Sequence, residues 1–285
     1  PDIVLTEQFP FGRTRLRFEL LPLLDAAWRL PRRPVIAASV RDVVRRAPAH
    51  RVAETVDLVT RYFDAVLIHG DPALVPFELS FAGWAAIRDR AHYTGYILED
   101  DGGTAATASP DGTDEVVVSA GGGAVGRPLL EAALAARPLT ALADRPWRLL
   151  VGENLPAADR AALATTPGVI IESARPDFRR LLERAALSIS QAGYNTAIET
   201  LRHARRAVLV PFASERETEQ ADRAAALAGR GLVATVPPGP LTAAALADAV
   251  ARALAGPDLR TQPACDVEGG PATARLLHRL EAARP

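Results

Sequence analysis

Short, continuous apolar runs rich in Val and Ile alternate along this chain with longer stretches of helical period. Such runs occupy Asp2–Thr6, Pro34–Ser39, Ala65–His69, Glu115–Ala120, Trp147–Val151, Gly168–Glu172, Ala186–Ser190, Ala207–Pro211 and Leu232–Val236. A run without polar alternation is typical of a strand buried on both faces, as in parallel sheets that are covered by helices. The alternation of strand and helix therefore predicts an α/β protein built from doubly wound units.

A small, polar and acidic segment divides the chain into two parts at residues 99–114. Such a composition is typical of a linker or an exposed loop. About six strand–helix units follow it, which is enough for a nucleotide-binding domain at 115–285. Before it, residues 1–98 hold only about three strands, a thin sheet with little core. We therefore expect a partial N-terminal Rossmann-like domain, the second half of a domain whose first half is absent.

Composition excludes several classes of partner. The net charge of the 285 residues is −1, so electrostatics give no support for nucleic acid as a partner. A single cysteine, Cys265, cannot form an internal disulfide, which favours a reducing, cytoplasmic compartment. No apolar run reaches the roughly 18 residues that a membrane-spanning helix needs, although peripheral contact with a membrane stays compatible with the sequence.

A glycine cluster follows the strand at residues 116–119 and precedes a helix. Gly121, Gly122 and Gly123 would allow a tight turn and the close approach of a ligand to the backbone. The N–H groups at the start of the next helix attract an anion, usually phosphate. The alternative is a plain strand-to-helix turn, because such glycines recur in α/β proteins.

The segment Ser190–Glu199 has the same strand–turn–helix character. Its helix is predicted to start at Thr196, and the backbone N–H groups there could hold a diphosphate, with Ser190 and Asn195 as further donors. Glu199 lies one turn into the helix, where a carboxylate can accept hydrogen bonds from the two hydroxyls of a ribose. The pattern fits equally well a helix that Asn195 or Thr196 caps, with Glu199 near the capping-box position.

A third strand end carries charge rather than glycine. Glu219 and Gln220 are predicted to lie in the first turn of the helix that follows Ala207–Pro211, where they could bind sugar hydroxyls. The alternative is a solvated, charged helix start. Because ligands of open α/β sheets bind beyond the carboxyl ends of the strands, the three loops together favour an anionic nucleotide ligand.

The stretch Ser190–Glu199, followed by Val208–Pro211 and by Glu219-Gln220, resembles the C-terminal domain of glycosyltransferase family 28. Within that family the chain is most similar to a bacterial branch of predicted glycosyltransferases. Further matches to this branch are Thr6–Arg13, Ser39–Asp42, His69–Pro72 and Tyr93–Tyr96. The similarity covers nearly the whole chain. It implies a GT-B fold of two facing Rossmann-like domains, of which the N-terminal one is incomplete here.

The resemblance also implies a site. A nucleotide-sugar donor, which is a substrate and not a cofactor, would be held mostly by the second domain. Its sugar would face Glu219 and Gln220, its ribose Glu199, and its base the backbone near Arg175. Its diphosphate would face Gly121, Gly122, Gly123, Ser190, Gly193, Asn195 and Thr196.

The family reaction inverts the anomeric carbon and needs a base for the acceptor proton. The family's Gly-x-Gly-His loop, which contributes to the acceptor side, has no counterpart in this chain. His69 is the candidate base, with Asp71 beside it. Glu7, Arg13 and Arg41 also follow strands and are acceptor-side candidates, although local turn contacts would explain them as well.

No metal site is expected, since Asp100-Asp101 lies in the linker, where solvation explains the pair. The sequence thus predicts transfer of a hexosyl group from a nucleotide-sugar, with UDP-sugar preferred, to an unknown lipid- or saccharide-linked acceptor. Two alternatives stay open: a nucleotide-sugar-binding protein without transferase activity, and a sugar-nucleotide hydrolase.

Overall fold

A computed structural model describes residues 1–98, 110–120, 126–152, 166–212, 217–263 and 265–284. Ten strands lie in these ranges: β1 Ile3–Glu7, β2 Val35–Arg41, β3 Ala65–His69, β4 Ala91–Tyr93, β5 Val116–Ser119, β6 Trp147–Val151, β7 Val169–Ser173, β8 Leu187–Ser190, β9 Ala207–Leu209 and β10 Ala234–Thr235.

Nine α-helices accompany the strands in the described residues: α1 Arg17–Trp28, α2 Ala49–Tyr62, α3 Trp84–Ile87, α4 Arg127–Ala136, α5 Phe178–Arg184, α6 Tyr194–His203, α7 Glu219–Gly229, α8 Ala243–Ala255 and α9 Gly269–Ala282. Short 3₁₀ turns occupy Thr14–Leu16, Phe77–Leu79, Arg88–Arg90, Arg137–Leu139 and Leu259–Thr261. None of the described helices combines the length and the apolar character that crossing a bilayer requires.

The chain divides into two compact units. The first comprises Pro1–Glu99, Glu215–Asp222 and Cys265–Pro285, and the second comprises Asp100–Ser214 and Arg223–Ala264. The first division falls between residues 99 and 100, and residues 265–285 belong to the first unit.

The first unit contains a four-stranded parallel sheet in the order β1-β2-β3-β4. One face carries Ile36, Ala38, Val66 and Ile68, which pack in a cluster with the helices that follow β1, β2 and β3. The opposite face carries Ala37, Ala65 and Leu67, and Leu276 of α9 packs on it. Strand β4 is not among the predicted strands, because its three residues Ala91–Tyr93 include a histidine and form no apolar run.

The second unit contains a six-stranded parallel sheet in the order β10-β9-β8-β5-β6-β7. Strands β5, β6, β8 and β9 are buried along their whole length, as the continuous apolar runs predict, whereas the edge strand β7 is half-buried. The first strand of the unit, β5, lies between β6 and β8. The strand order therefore reverses between β5 and β8, and in open α/β sheets the crevice at the carboxyl ends of two such strands is where ligands bind.

Candidate donor-binding site

The two loops that were predicted to hold a diphosphate leave neighbouring strands at this reversal point. Ser119 at the end of β5 is in register with Ser190 at the end of β8. Beyond that pair, the Gln191 N–H donates to the Ser119 carbonyl at 3.2 Å. The two loops are about 70 residues apart in the sequence, and the parallel pairing of β5 with β8 brings them together in space. Gly121, Gly122 and Gly123 themselves lie outside the described residues.

The residue before α4 packs closely against the end of β5. Gly126 immediately precedes α4, and a Cβ atom built on it would lie 2.4 Å from the Cβ of Ala120. No side chain fits there without a shift of the backbone, because real Cβ contacts are not this short. Helix α4 therefore starts directly against the end of β5, at the edge of the sheet where its N-terminal dipole faces the crevice region.

Helix α6 begins earlier than predicted, at Tyr194, and its N-cap residue is Gly193. No side chain caps it, and Ala197 N–H makes the bond to the Gly193 carbonyl at 2.9 Å. Asn195 and Thr196 are consequently inside the first turn. The interpretation of either residue as the helix cap is therefore wrong, and the first-turn amides need partners other than a capping side chain.

The surroundings of the turn leave room for a ligand at some positions and not at others. A Cβ on Gly193 would meet no atom of the described residues within 4 Å. Asn195 is exposed and Thr196 is half-buried. Ser190, in contrast, is completely buried, and its Oγ atom has no hydrogen-bond partner among the described residues. A buried hydroxyl without a partner is costly to the fold.

Glu199 lies on α6 and is held by an arginine of α5. Arg179 Nε donates to Glu199 Oε1 at 3.1 Å, and the two side chains are 15% and 20% exposed. The carboxylate of Glu199 thus has a fixed orientation with one oxygen engaged. Arg179 was not identified from the sequence, where it belongs to an ordinary amphipathic helix.

Arg175 was predicted to lie near the base of the nucleotide, and the structure shows that its side chain has an intramolecular role. Its guanidinium binds Asp177 through two bonds of 2.8 and 2.7 Å and Asp111 through one of 2.7 Å. These bonds, first to Asp177 and then to Asp111, raise the pKa of Arg175, and the pKa of Asp177 is lowered mainly by Arg175. The side chain therefore fixes the loop that follows β7, and only its backbone is left to meet a base.

A second arginine of the same network, Arg148, is buried beneath this loop. It is 4% exposed and donates to Glu115 at 2.6 and 3.0 Å and to Glu172 at 2.8 Å. Asp111, assigned to the linker from the sequence, lies 3.2 Å from it. Removal of one partner from a buried ion pair leaves an uncompensated charge and is strongly destabilising. The ion-pair network of Arg148 therefore holds Asp111 in the second unit.

Glu219 and Gln220 lie in the first turn of α7, as predicted, and both are half-buried. Within the first unit, Glu219 also lines a cavity of about 770 Å³. Glu7, Arg13 and Arg41, the acceptor-side candidates, line the same cavity. The structure thus brings all three candidates together, and Arg13 forms an exposed ion pair of 3.0 Å with Glu7.

His69 is 7% exposed, and both of its ring nitrogens have partners. Nδ1 lies 2.8 Å from the Thr94 hydroxyl and Nε2 lies 2.7 Å from the Ser39 hydroxyl. Burial lowers the pKa of His69 to about 4, so the ring is neutral at pH 7. Asp71 does not orient it, because the Asp71 carboxylate accepts from the Ala73 N–H at 2.8 Å. The expected His69–Asp71 pair is therefore absent from the described contacts, and a catalytic role of either residue stays a prediction.

Thr94 links the His69 ring to the backbone of its own strand region. Its hydroxyl lies 2.8 Å from His69 Nδ1 and 3.3 Å from the Ile68 carbonyl. Among the described residues, no group of three or more His, Cys, Asp or Glu side chains is arranged to bind a metal ion.

Residues 116–266, more than half of the 285 residues, match the model of the glycosyltransferase family 28 C-terminal domain. The chain belongs to glycosyltransferase family 28. Its matched region starts with β5 and includes both strands of the reversal point. No curated protein sequence gives a significant match.

Solved glycosyltransferases share the fold of this family 28 chain. CalG4, the calicheamicin glycosyltransferase, is 20% identical with a TM-score of 0.63, and the match covers 99% of this chain and 73% of CalG4. The spinosyn rhamnosyltransferase SpnG, complexed with thymidine diphosphate, is 19% identical with a TM-score of 0.58, over 99% of this chain and 70% of SpnG. MurG of Acinetobacter baumannii is 14% identical with a TM-score of 0.51, over 97% of this chain and 99% of MurG. The fold is that of the GT-B glycosyltransferases.

Proposed function

We propose that this family 28 chain transfers a hexosyl group from a nucleoside diphosphate sugar, preferentially a UDP-sugar, to an acceptor hydroxyl, with inversion and without a metal ion. The observation that carries the proposal is that β5 and β8, each followed by a helix, lie side by side in parallel register at the reversal point of the sheet. Anions bind where helix N-termini and loop amides converge. Two solved neighbours support the choice of ligand: SpnG is complexed with thymidine diphosphate, and MnaA of S. aureus, which is 12% identical with a TM-score of 0.57 over 99% of this chain and 75% of MnaA, has a co-structure with UDP.

In this reaction the acceptor oxygen attacks the anomeric carbon, and the bond from that carbon to the phosphate oxygen breaks. The diphosphate leaves with the bonding electron pair, and the acceptor proton passes to a base. The Ser190–Gly193 turn and the start of α6 are proposed to stabilise the departing charge. A helix N-terminus contributes about 0.3–1 kcal/mol to such an anion, and more when it is partly buried. These groups are present in the fold before the ligand binds, so no metal is required for this step.

The nucleoside is proposed to bind beside the same turn. Glu199 is oriented by Arg179 and has a second carboxylate oxygen with which to accept from a ribose hydroxyl. The backbone after β7, which Arg175 holds in place, is proposed to meet the base. Glu219 and Gln220 are proposed to bind the sugar.

The acceptor is proposed to bind on the side of Glu7, Arg13 and Arg41, because these residues line one cavity together with Glu219. His69 is proposed as the candidate base for the acceptor proton. Burial lowers its pKa to about 4, so it is a weak base at pH 7.

A nucleotide-binding screen tests the donor site. The 285-residue chain is heated with UDP, GDP, dTDP and their sugars, and the midpoint of unfolding is recorded for each. A ligand at 100 times its Kd adds about 2.7 kcal/mol to stability, which gives a clear shift. If no nucleoside diphosphate shifts the midpoint, the proposal fails. If UDP is released from a UDP-sugar in the absence of an acceptor, the chain is a hydrolase instead.

Glu199→Gln makes the screen specific for the ribose contact. The variant keeps an amide oxygen for Arg179 but loses the charge, so we expect UDP affinity to fall about tenfold, in line with 1.5–3 kcal/mol for a hydrogen bond to a charged group. Stability without ligand should change little. Glu183→Gln is the matched control, because Glu183 is an exposed carboxylate of α5 whose Oε1 lies 3.0 Å from His203 Nδ1 of α6. Equal affinity of both variants for UDP would remove Glu199 from the site.

A further inference from the structure

Arg223 is the most deeply buried arginine of the described residues, with 1% of its surface exposed. It lies on α7, one turn after Glu219, in a stretch whose charges predict a solvated helix face. Arginine is almost never fully buried unless its guanidinium has partners. The contacts of Arg223 therefore show what this charge does inside the second unit.

Two of these contacts are with the proposed diphosphate turn. Arg223 Nη1 donates to the Ala192 carbonyl at 2.8 Å. Its Cζ atom lies 5.7 Å from the centroid of the Tyr194 ring, within the range of a cation–π interaction. Ala192 is completely buried and Tyr194 is 8% exposed, so both contacts are shielded from water. Arg223 thus holds residues on both sides of Gly193.

The bond to Ala192 also orients the next amide. In a trans peptide the carbonyl of one residue and the N–H of the following residue point in opposite directions. The Ala192 carbonyl points to Arg223, so the Gly193 N–H points away from it. On Gly193 the space for a Cβ atom is open to 4 Å, so at this residue a ligand can approach the backbone closely.

We propose that Arg223 is a positioning residue of the donor site: it locks the Gln191–Gly193 turn so that the Gly193 N–H faces the diphosphate, and it places a buried positive charge behind that turn. The proposal rests on the proposed function, because it names how this site recognises the charged part of its ligand. The diphosphate is the group affected, since the nucleoside carries no charge for Arg223 to attract.

The test compares a charged and an uncharged ligand in the same protein. Binding of UDP and of uridine is measured by calorimetry for the wild-type chain, Arg223→Met, Arg223→Lys and Arg230→Met. Arg230 is the matched control, because it is exposed, follows the last residue of the same helix directly and donates to the Ala226 carbonyl of that helix. If the wild type prefers another nucleotide, that nucleoside diphosphate and its nucleoside replace the pair.

We expect UDP affinity to fall about tenfold or more in Arg223→Met and about threefold in Arg223→Lys, as loss of a charged hydrogen bond predicts. Uridine affinity should change less than about twofold in every variant, and Arg230→Met should behave as the wild type does. A parallel loss of UDP and uridine binding, or no loss of either, would overturn the inference.

The ratio of UDP affinity to uridine affinity separates recognition of the diphosphate from a purely structural role of Arg223. A general loosening of the fold would weaken the binding of both ligands and leave that ratio unchanged. If Arg223→Met does not fold, the ratio in Arg223→Lys decides: a lower ratio supports the inference and an unchanged ratio overturns it. Absence of binding by wild-type protein to any nucleoside diphosphate would instead refute the proposed function.

Discussion

At the residue scale, Gly193 occupies a position where the described fold does not itself demand a glycine. Its backbone angles of φ −60° and ψ 152° are accessible to any residue, and a Cβ atom there would meet no described atom within 4 Å. Neither backbone strain nor crowding among the described residues therefore explains a glycine. The proposed donor site would explain it, because a ligand can approach the backbone of a glycine closely.

Gly193→Ala is expected to leave the fold intact and to weaken nucleoside diphosphate binding by about tenfold or more, because the methyl group occupies the space where a phosphate meets the N–H. The loss of a glycine N-cap should cost about 1 kcal/mol or less. Calorimetric titration with UDP measures the first effect and urea unfolding the second.

Gly229→Ala is the control for this substitution, since Gly229 also has open space around its Cβ position and lies at the last residue of α7. Its affinity for UDP should equal that of the wild type. Unchanged affinity in Gly193→Ala would show that no ligand group approaches this backbone closely.

At the element scale, helix α9 completes the first unit although it is the last helix of the chain. Leu276 is 8% exposed and packs with Ala37, Ala65 and Leu67 of β2 and β3, and Leu277 and Leu280 lie beside it. The side chains of β2 and β3 form an apolar face of the first sheet, and such a face must be shielded from water by another element. The backbone joins in, because the Gly269 N–H donates to the Tyr96 carbonyl at 3.1 Å.

Leu276→Ala is expected to destabilise the first unit by about 2–4 kcal/mol, the usual cost of removing a buried leucine side chain. Hydrogen exchange followed by mass spectrometry should show faster exchange in β2 and β3 and unchanged exchange in β8 and β9. Leu139→Ala, which truncates a leucine that is 60% exposed, serves as the control and should change neither. Equal acceleration in both sheets would contradict the assignment of α9 to the first unit.

At the scale of the whole molecule, the titratable groups with lowered pKa values all destabilise the fold in acid. Burial lowers the pKa of three histidines, so the unfolded chain binds their protons more readily, and stability falls as the pH drops below about 6.5. Arginine partners lower the pKa of two aspartates, so their contribution is present above about pH 4 and is lost below it. The residues concerned are His69, His92, His203, Asp177 and Asp258.

The contribution of His69 is large enough to measure by itself. A folded-state pKa of about 4 against an unfolded value near 6.5 corresponds to about 3 kcal/mol, lost between pH 6.5 and pH 4. In His69→Gln this part of the pH dependence should disappear. Urea unfolding of both proteins at pH 7.5, 5.5 and 4.5 measures it, and parallel curves for the two proteins would show that the His69 ring is not held neutral by the fold.

The sequence determined the strands with precision wherever burial on both faces left a continuous apolar run, and it placed Glu219 and Gln220 correctly in a first helical turn. It could not locate β4, because three residues with a histidine among them carry no periodic signal. Nor could it decide where α6 starts, since Gly193, Asn195 and Thr196 are all residue types that favour the N-cap position.

What depends on distant parts of the chain was decided only by the tertiary structure. Parallel register places Ser119 beside Ser190, and the packing of α9 returns the C-terminal end to the first sheet. Tertiary packing also buries Arg223, a charge in a polar helix pattern, and pairs it with the Ala192 carbonyl of the proposed diphosphate turn. A local pattern records which residues tend to be buried, whereas the partner of a buried charge is set by which strands and helices meet.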